Sequence, residues 1–353
     1  MKRLLTVLLA IQAGQVLAQK YTQPESPRVE HTINRDWTFN YYPSGKENAE
    51  IAAVGFDDSK WKAIAVPHTW QTYETTKDIH PFIMSASERE DPYWWNGWGW
   101  YRKRFSVDSA MKDKKIFIEF DGVQKYCKVF LNGNYIGDHK GGYNSFYFDL
   151  TPHIKFGKEN ILAVEVSGRR DDKFGTIAPA TAGNFNVYSG IYRDVRLVIT
   201  NQAYVPYQGS YKHEGGTHIT TPIVSEKEAV VAVKTYVKNE SDNDLLIEVK
   251  NIIADADNKP VATLKTSKQV NKGELACFDQ KSEYIHNPKL WSNVSPYVYS
   301  VYTEVYANGV LTDTYRSPLG FRYFKWDYAD NTLIVNGQKI HIHGTNRHQE
   351  YPW

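Results

Sequence analysis

The sequence predicts an all-β protein made of successive sandwiches, and three observations carry that expectation. Apolar residues recur with period two, the spacing of a strand and not of a helix. Asn-Gly pairs sit between such runs at Asn132-Gly133, Asn308-Gly309 and Asn336-Gly337. Both residues tolerate the positive φ that a two-residue hairpin turn requires. No segment shows the stripe and caps of a long amphipathic helix.

The elements follow in order. Lys2 and Arg3 precede the apolar run Leu4 to Ile11, and Val16-Leu17-Ala18 has the small residues of a cleavage site before Gln19. Residues 1–18 therefore read as a secretory signal, which implies a secreted or periplasmic protein. The run is too short to span a bilayer, which takes about 20 residues. A first unit covers residues 30–200. Within it Ile116, Ile118 and Phe120 alternate; Ile161, Ala163 and Glu165 alternate against Leu162, Val164 and Val166; and Val195, Leu197 and Ile199 alternate against Arg196 and Val198. A polar stretch from Tyr207 to Thr221, with Gly209, Gly215 and Gly216, reads as a junction. Residues 221–318 form a second unit with strands at Val230 to Val237, Leu245 to Val249 and Tyr299 to Tyr306. Its length of about 100 residues suits an immunoglobulin-like sandwich. Residues 319–353 begin something new, with a hairpin from Leu333 to His343.

Composition narrows the function. Lys plus Arg number 42 against 40 Asp plus Glu, a formal charge of +2. So even a balance gives no reason to expect nucleic acid or an anionic membrane as partner. The two cysteines, Cys127 and Cys277, lie far apart in the chain and read as free thiols. Aromatic residues make up 14%, with 25 Tyr and 10 Trp. That content fits half-buried strands and equally fits a surface that stacks on sugar rings. No Gly-rich phosphate loop or CxxC pair is present. His341 and His343 fall on one face of a strand and could start a metal site, but no third ligand is suggested.

A series of short motifs then points to one family. They are Val66-Pro67-His68-Thr69-Trp70, Gly99-Trp100-Tyr101-Arg102-Lys103-Arg104-Phe105, Phe120-Asp121-Gly122-Val123 and Leu131-Asn132-Gly133. Gly141-Gly142-Tyr143, Phe148-Asp149-Leu150-Thr151, Ser189-Gly190-Ile191-Tyr192-Arg193-Asp194-Val195 and Asn287-Pro288-Lys289-Leu290-Trp291-Ser292 follow in order. Together they resemble the N-terminal part of glycoside hydrolase family 2, the β-galactosidase and β-glucuronidase group. The resemblance implies a jelly-roll sugar-binding sandwich, an immunoglobulin-like sandwich and the opening of a (β/α)₈ barrel. The stretch Gly344 to Pro352 resembles the first barrel strand of the galactosidase-like branch. Arg347, where the glucuronidase branch tends to carry Lys, leans the same way.

The same resemblance assigns candidate substrate contacts. His348 matches a histidine at the barrel mouth that touches the sugar. Asn96 matches, in its spacing before Gly99-Trp100-Tyr101, an asparagine that reaches from the jelly roll to sugar hydroxyls. Gly97-Trp98 departs from the usual local motif. Asn184 stands where sodium-binding relatives have Asp, which touches the sugar 6-hydroxyl and the ion. An amide keeps the acceptor oxygen and loses the charge, so no convincing metal site results and the cofactor stays unknown, although family members use Na or Mg ions. The run Tyr93-Trp94-Trp95-Asn96-Gly97-Trp98 offers either a stacking platform for a sugar or rings for the core.

Family members are retaining glycosidases, which need two carboxyl groups about 5–5.5 Å apart. In the resemblance both are glutamates of later barrel strands. A barrel takes about 250 residues, so the expectation is an N-terminal fragment with no catalytic residue of its own, inactive as a 353-residue chain. Glu350 beside His348, and the cluster Glu88, Glu90 and Asp91, read as solvated acids. The alternatives are a non-catalytic carbohydrate-binding module, or a β-glucuronidase or β-mannosidase. The expected partner is a carbohydrate, with no nucleic acid and no membrane insertion; the oligomeric state stays open, a homo-oligomer included.

Overall fold

The computed structural model describes residues 20–42, 49–70, 97–168, 189–208 and 215–345. The first unit is a sandwich of two antiparallel sheets. The smaller runs β1 (Val29–Thr32), β10 (Val195–Thr200), β5 (Lys115–Phe120) and β8 (Phe146–Asp149). The larger runs β3 (Lys62–Ile64), β2 (Trp37–Tyr42), β4 (Trp98–Ser106), β9 (Glu159–Ser167), β6 (Tyr126–Leu131) and β7 (Asn134–Lys140). Ile116, Ile118 and Phe120 meet Val129, Leu131, Leu162, Val164 and Val166 between the sheets, all of them fully buried. Each such side chain contributes about 1.5–3 kcal/mol of apolar burial. Clean alternation fails on β9, where Ala163 and Glu165 are as buried as Leu162 and Val164. The cause is a cover on the outer face: Ile51 and Ala52 of a short 3-10 turn pack there with Trp100 and Ala163.

The second unit is the immunoglobulin-like sandwich. One sheet contains β11 (Ala203–Tyr204), β13 (Glu228–Asn239) and β12 (Thr217–Val224), with β16 (Leu275–Lys281) and β17 (Ile285–His286) also on β13. The other runs β15 (Pro260–Val270), β14 (Leu245–Ala254), β18 (Tyr299–Ala307) and β19 (Val310–Leu319). Pairing with β13 therefore starts at Ala203, and β12 starts at Thr217, inside the stretch that composition marks as a junction. The core divides into two apolar clusters, one around Phe278 and Val305 and one around Tyr299 and Phe321. A buried polar network lies in the same sandwich. Asn251 on β14 donates to Gln280 Oε1 at 2.7 Å and Thr235 Oγ1 at 3.3 Å, and accepts from Thr303 Oγ1 at 2.5 Å. Gln280 in turn donates to the Val249 carbonyl at 3.1 Å. The network joins one sheet to the other and fixes how they face each other, because hydrogen bonds are directional where apolar contact is not.

The three Asn-Gly turns are hairpins with both residues at positive φ. Each asparagine also works away from its own turn. Asn132 accepts from Ile161 N and donates to the His153 carbonyl; Asn308 accepts from Leu246 N; Asn336 accepts from Tyr323 N and donates to the Trp291 carbonyl. The last turn lies in a three-stranded meander of β20 (Phe324–Asp327), β21 (Thr332–Val335) and β22 (Gln338–Ile340). The sequence shows its hairpin but not its first strand, and the second hairpin strand ends at Ile340.

The seam between the sandwiches combines a small apolar cluster of Phe117, Val198 and Tyr204 with a polar network. Arg28 grips Asp313 of β19 through Nε at 3.0 Å and Nη2 at 2.8 Å, and donates to the Val205 carbonyl at 2.6 Å. Val205 N donates to the same carboxylate at 2.7 Å. Burial acts to lower the Arg28 pKa, but the Asp313 charge and hydrogen bonds outweigh it and raise it. Upstream, Tyr21 donates its N–H to the Asn258 carbonyl at 2.7 Å, its hydroxyl to Glu304, and packs its ring on Tyr302. Lys115 of β5 bridges Asp149 and Glu240, which also accepts from Tyr204. A narrow cleft remains, lined by Arg28, Phe117, Glu119, Tyr147, Tyr204 and Tyr207, among others. Burial pushes the Glu119 carboxyl up to about 7; Arg28 and Arg196 draw it down, while Glu30 and Asp121 push it further up.

Two stability predictions follow from these networks. Asn251→Ala strands Gln280 and Thr303 in the core and should cost about 2–4 kcal/mol in equilibrium urea unfolding; a change within about 0.5 kcal/mol would show that the network carries no stability. Glu119 has a folded pKa near 7 against an ordinary 4.5, so folding takes up a proton between those values. Stability from this group is complete below pH 4.5 and is lost as pH rises through 7. Glu119→Gln should therefore raise stability at pH 8 by up to about 3 kcal/mol and leave it unchanged at pH 4. Equal shifts in Tm at both pH values would refute the assignment.

Candidate functional site

The three residues assigned by resemblance, Asn96, Asn184 and His348, lie outside the described residues, as do Trp94, Trp95, Glu88, Glu90, Asp91 and Glu350. What the structure does show is the ground from which two of them spring. Asn96 belongs to residues 71–96, which leave after Trp70 and return at Gly97. Asn184 belongs to residues 169–188, which leave after Gly168 and return at Ser189. These four ends meet at one corner of the jelly roll. Gly168 N donates to the Gly97 carbonyl at 3.0 Å, so the end of one segment is bonded to the start of the other.

The corner is built by close approach of backbone to aromatic rings. A Cβ at Gly99 would stand 2.5 Å from Trp70 Cζ3, and one at Gly168 would stand 2.5 Å from Ser189 Oγ and 3.1 Å from Trp70 Cζ2. Trp70 is fully buried, stacked on Phe39 at 5.9 Å and 19°. Gly190 has φ +131°, a conformation that favours glycine, and a Cβ there would lie 2.4 Å from the His68 carbonyl oxygen. Gly190 and Gln124 exchange backbone hydrogen bonds of 2.9 Å, and His68 N donates to the Ile191 carbonyl at 2.7 Å. His68 Nδ1 and the Tyr101 hydroxyl are 2.9 Å apart. Burial raises the Tyr101 pKa well above its ordinary value, so the phenol stays neutral and serves as a hydrogen-bonding post. Tyr41 adds a hydroxyl that accepts from Gly97 N at 2.8 Å.

Beside this corner the outer face of the larger sheet carries two cross-strand rows. One runs Trp98, Ser167, Tyr126 and Lys140; the next runs Trp100, Glu165, Lys128 and Asp138. Trp98 and Trp100 are 6% and 1% exposed. Trp98, in the run that the sequence leaves open between sugar stacking and the core, is a wall ring of the sandwich. Lys128 Nζ lies 3.6 Å from Glu165.

The sequence motifs contain His68, Tyr101 and Gly190, but nothing in the string pairs His68 with Tyr101 or brings Gly97 to Gly168. Only cross-strand register does that. Among the described residues the four most deeply buried carboxylates are each answered by a cation. Asp58 meets Arg104 and Arg102, Glu165 meets Lys128, Glu304 meets Lys250 and Asp313 meets Arg28. For Asp58, burial acts upward but hydrogen bonds from Arg104 and Thr38 hold the carboxyl down at about 2. Ion-paired groups of this kind are poor nucleophiles and poor acids near neutral pH. Among the described residues no group of three or more His, Cys, Asp or Glu is gathered to hold a metal, and His341 and His343 are exposed after β22. Cys127 and Cys277 are free thiols. No described helix is long and apolar enough to cross a membrane.

Comparison with known proteins agrees in both sandwiches. The sequence model for the sugar-binding domain of glycosyl hydrolases family 2 matches residues 31–201, and a second model of glycosyl hydrolases family 2 matches residues 215–322. A β-glucuronidase of Formosa agariphila is 32% identical over 334 residues, covering 93% of this chain and 33% of the relative. A β-galactosidase of Bacteroides ovatus is 34% identical over 327 residues, covering 92% and 35%. Among solved structures, a β-glucuronidase from glycoside hydrolase family 2 superposes with a TM-score of 0.80 at 32% identity, covering 92% of this chain and 33% of that one. The chain thus spans about a third of the length of these relatives. Both sandwiches, in the same order and across nearly all of the described residues, carry one signature: the protein belongs to glycoside hydrolase family 2.

Proposed function

We propose that this chain is the sugar-binding and immunoglobulin-like part of an exported retaining β-glycosidase that releases terminal β-linked sugars from oligosaccharides. The observation that carries the reading is the ordered match of two family 2 domains from residue 31 to residue 322. In this reading the jelly-roll corner serves as a platform. It delivers the segments with Asn96 and Asn184 to the sugar, whose hydroxyls the two amides bind by donating and accepting hydrogen bonds. His348 adds a contact from the barrel side. In this reading further sequence supplies the bond-breaking carboxylates, and the buried Asp58, Glu165, Glu304 and Asp313, each paired with a cation, serve the scaffold.

Two sugars compete. Arg347 and the stretch Gly344 to Pro352 favour a galactosidase-like enzyme. Relatives named β-glucuronidase support the second reading equally, at 32% and 30% identity. Asn184, where sodium-binding relatives have Asp, keeps an acceptor oxygen but loses the charge, which speaks against ordinary galactose and leaves a modified galactoside or another hexose open.

The test is to express the gene product with its downstream coding sequence and assay aryl β-galactoside, β-glucuronide and β-mannoside. Turnover of one with retained anomeric configuration, seen by NMR, is expected; inversion, or no turnover of any of the three, overturns the reading. The 353-residue chain alone should hydrolyse none of them, and turnover above blank would place the carboxylates within it. In the active protein, Asn96→Ala and Asn184→Ala should each lower kcat/KM about 10- to 100-fold, the worth of one or two sugar hydrogen bonds. A variant within twofold of the parent would remove that residue from the site. For export, mass spectrometry of secreted protein should find Gln19 as first residue.

A further inference from the structure

Burial on β14 alternates up to Lys250 and then stops alternating: Asn251, Ile252, Ile253 and Ala254 are all buried. Asn251 and Ile253 face the interior of the second sandwich, so Ile252 and Ala254 stand on its outer face, where period two leads one to expect exposure. Ile252 and Ala254 pack with Tyr302 of β18, and Tyr21 packs on this cluster from the other end of the sequence. Residues 20–28 therefore lie on the second sandwich before the chain enters β1 of the first. The family models match residues 31–201 and 215–322, so this segment lies ahead of both.

Two anchors hold the segment. At the first, Tyr21 N donates to the Asn258 carbonyl at 2.7 Å, and the Tyr21 ring meets Tyr302 at 4.8 Å and 46°. The Tyr21 hydroxyl donates to Glu304 Oε1. Glu304 is 1% exposed, and its Oε2 accepts from Tyr306 at 2.8 Å and from Lys250 at 3.4 Å. Among the described residues the hydrogen bond to Oε1 comes from Tyr21. A buried carboxylate oxygen left without a donor is costly, so the position calls for a phenol. Asn258, at φ +62° in the turn between β14 and β15, also accepts from the Tyr302 hydroxyl at 2.8 Å, which fixes the ring that Tyr21 packs on. At the second anchor Arg28 reaches Asp313 and the Val205 carbonyl, and its guanidinium lies over the Tyr315 ring at 5.5 Å. Ser26 Oγ accepts from Arg28 N at 3.1 Å. Between the anchors Pro24 and Pro27 fix φ, which lessens the chain entropy lost when the segment is laid down.

We propose that the outer face around Tyr302, Glu304 and Asn258 is a binding site for an extended, tyrosine-bearing peptide, that residues 20–28 of the same chain occupy it, and that this strap fastens the two sandwiches to each other. The site meets the ring by packing, the hydroxyl with a carboxylate and the backbone with a carbonyl, so phenylalanine would satisfy two of the three contacts. The first sandwich begins at Val29, directly after the second anchor, so holding Tyr21 on the second sandwich limits how far β1 can swing. The stretch from Tyr21 to Arg28 spans at most about 25 Å when fully extended. A tether that short keeps Arg28 at high effective concentration beside Asp313, and the pair re-forms readily after any opening. None of these contacts depends on which sugar the protein cleaves.

The test measures amide hydrogen exchange in the 353-residue chain. Val205 N–H lies at the seam and donates to Asp313, away from the Tyr21 anchor. Tyr21→Ala should speed its exchange about tenfold and leave Val164 and Val249, in the two cores, unchanged. Tyr21→Phe keeps the ring and should speed it about threefold, which holds the test open if the alanine variant folds poorly. Exchange at Val205 within about twofold of the parent in the folded variants overturns the proposal. A synthetic peptide of residues 20–26 should bind the Tyr21→Ala chain saturably, with NMR shifts at Asn258 and Tyr302. The same peptide carrying Tyr21→Phe should bind about tenfold more weakly, the worth of one hydrogen bond to a charged group. The parent chain, its site occupied, should bind neither. Absence of binding to the Tyr21→Ala chain at millimolar peptide, or equal binding to the parent, overturns the proposal. Faster Val205 exchange on dilution of the parent also overturns it, because the strap would then come from a second copy.

Discussion

The orientation of the two sandwiches turns on one buried ion pair, Arg28 with Asp313. Each sandwich closes its own apolar core, and Phe117 and Val198 of the first meet Tyr204 of the second in a small apolar cluster at the seam. Apolar contact is not directional, and the hydrogen-bonded contacts beside it are. The guanidinium grips both carboxylate oxygens, reaches the Val205 carbonyl, and leaves Val205 N to complete the carboxylate. Three separate stretches of chain converge there: the approach to β1, the connection after β11, and β19. Removing either charge would leave the other buried and unanswered, a loss of about 3–5 kcal/mol, which is large against the stability of a domain. Attraction alone does not make such a pair favourable over an apolar contact. What it supplies is geometry, since a bidentate fork accepts one orientation of its partner.

The same logic of tight fit rules the jelly-roll corner, by steric means. Gly99, Gly168 and Gly190 stand where a side chain would collide with Trp70, Ser189 or the His68 carbonyl. The absence of a Cβ lets strand ends come close enough for Gly97 and Gly168 to bond. Aromatic rings fill the space behind them. Two long segments are thereby anchored at neighbouring points, although they are far apart in sequence. For a sugar-contacting role this matters more than any single side chain, because a loop residue is positioned only as well as its ends are.

Much of the fold was legible in the string. Period-two alternation and the three Asn-Gly turns placed the strands and hairpins correctly, since both signals are local and depend on backbone chemistry within a few residues. The motifs carried the family. Where reading failed, the cause was nonlocal. Glu165 looked like an outward residue of a half-exposed strand, but Ile51 and Ala52 cover that face from another part of the chain. Trp98 lies in a run open to either sugar stacking or the core, and only register decides that it is a wall ring. The strand β20 was overlooked because Phe324-Lys325-Trp326-Asp327 is too short to declare itself without its partner Leu333 to Val335. Ala203-Tyr204 joins the second sandwich through β13, some 30 residues later, which no local pattern could announce. The candidate site was legible only by resemblance: asparagine in a loop has no distinguishing pattern, and the residues that matter around it, His68 with Tyr101 and Gly97 with Gly168, are paired by the sheets.

The distribution of charge separates scaffold from chemistry. A retaining glycosidase needs one carboxylate free to attack and one carboxyl able to give up and regain a proton. Asp58, Glu165, Glu304 and Asp313 are buried and each is paired with arginine or lysine; for Asp58 burial acts upward but the hydrogen bonds from Arg104 and Thr38 hold the carboxyl down. Glu119 is the exception. It is raised toward neutrality first by burial in the cleft at the seam, with Glu30 and Asp121 adding to the shift. The raised pKa follows from placing an acid where two sandwiches meet. The buried ion pairs of the described residues are thus spent on holding sheets and sandwiches in register.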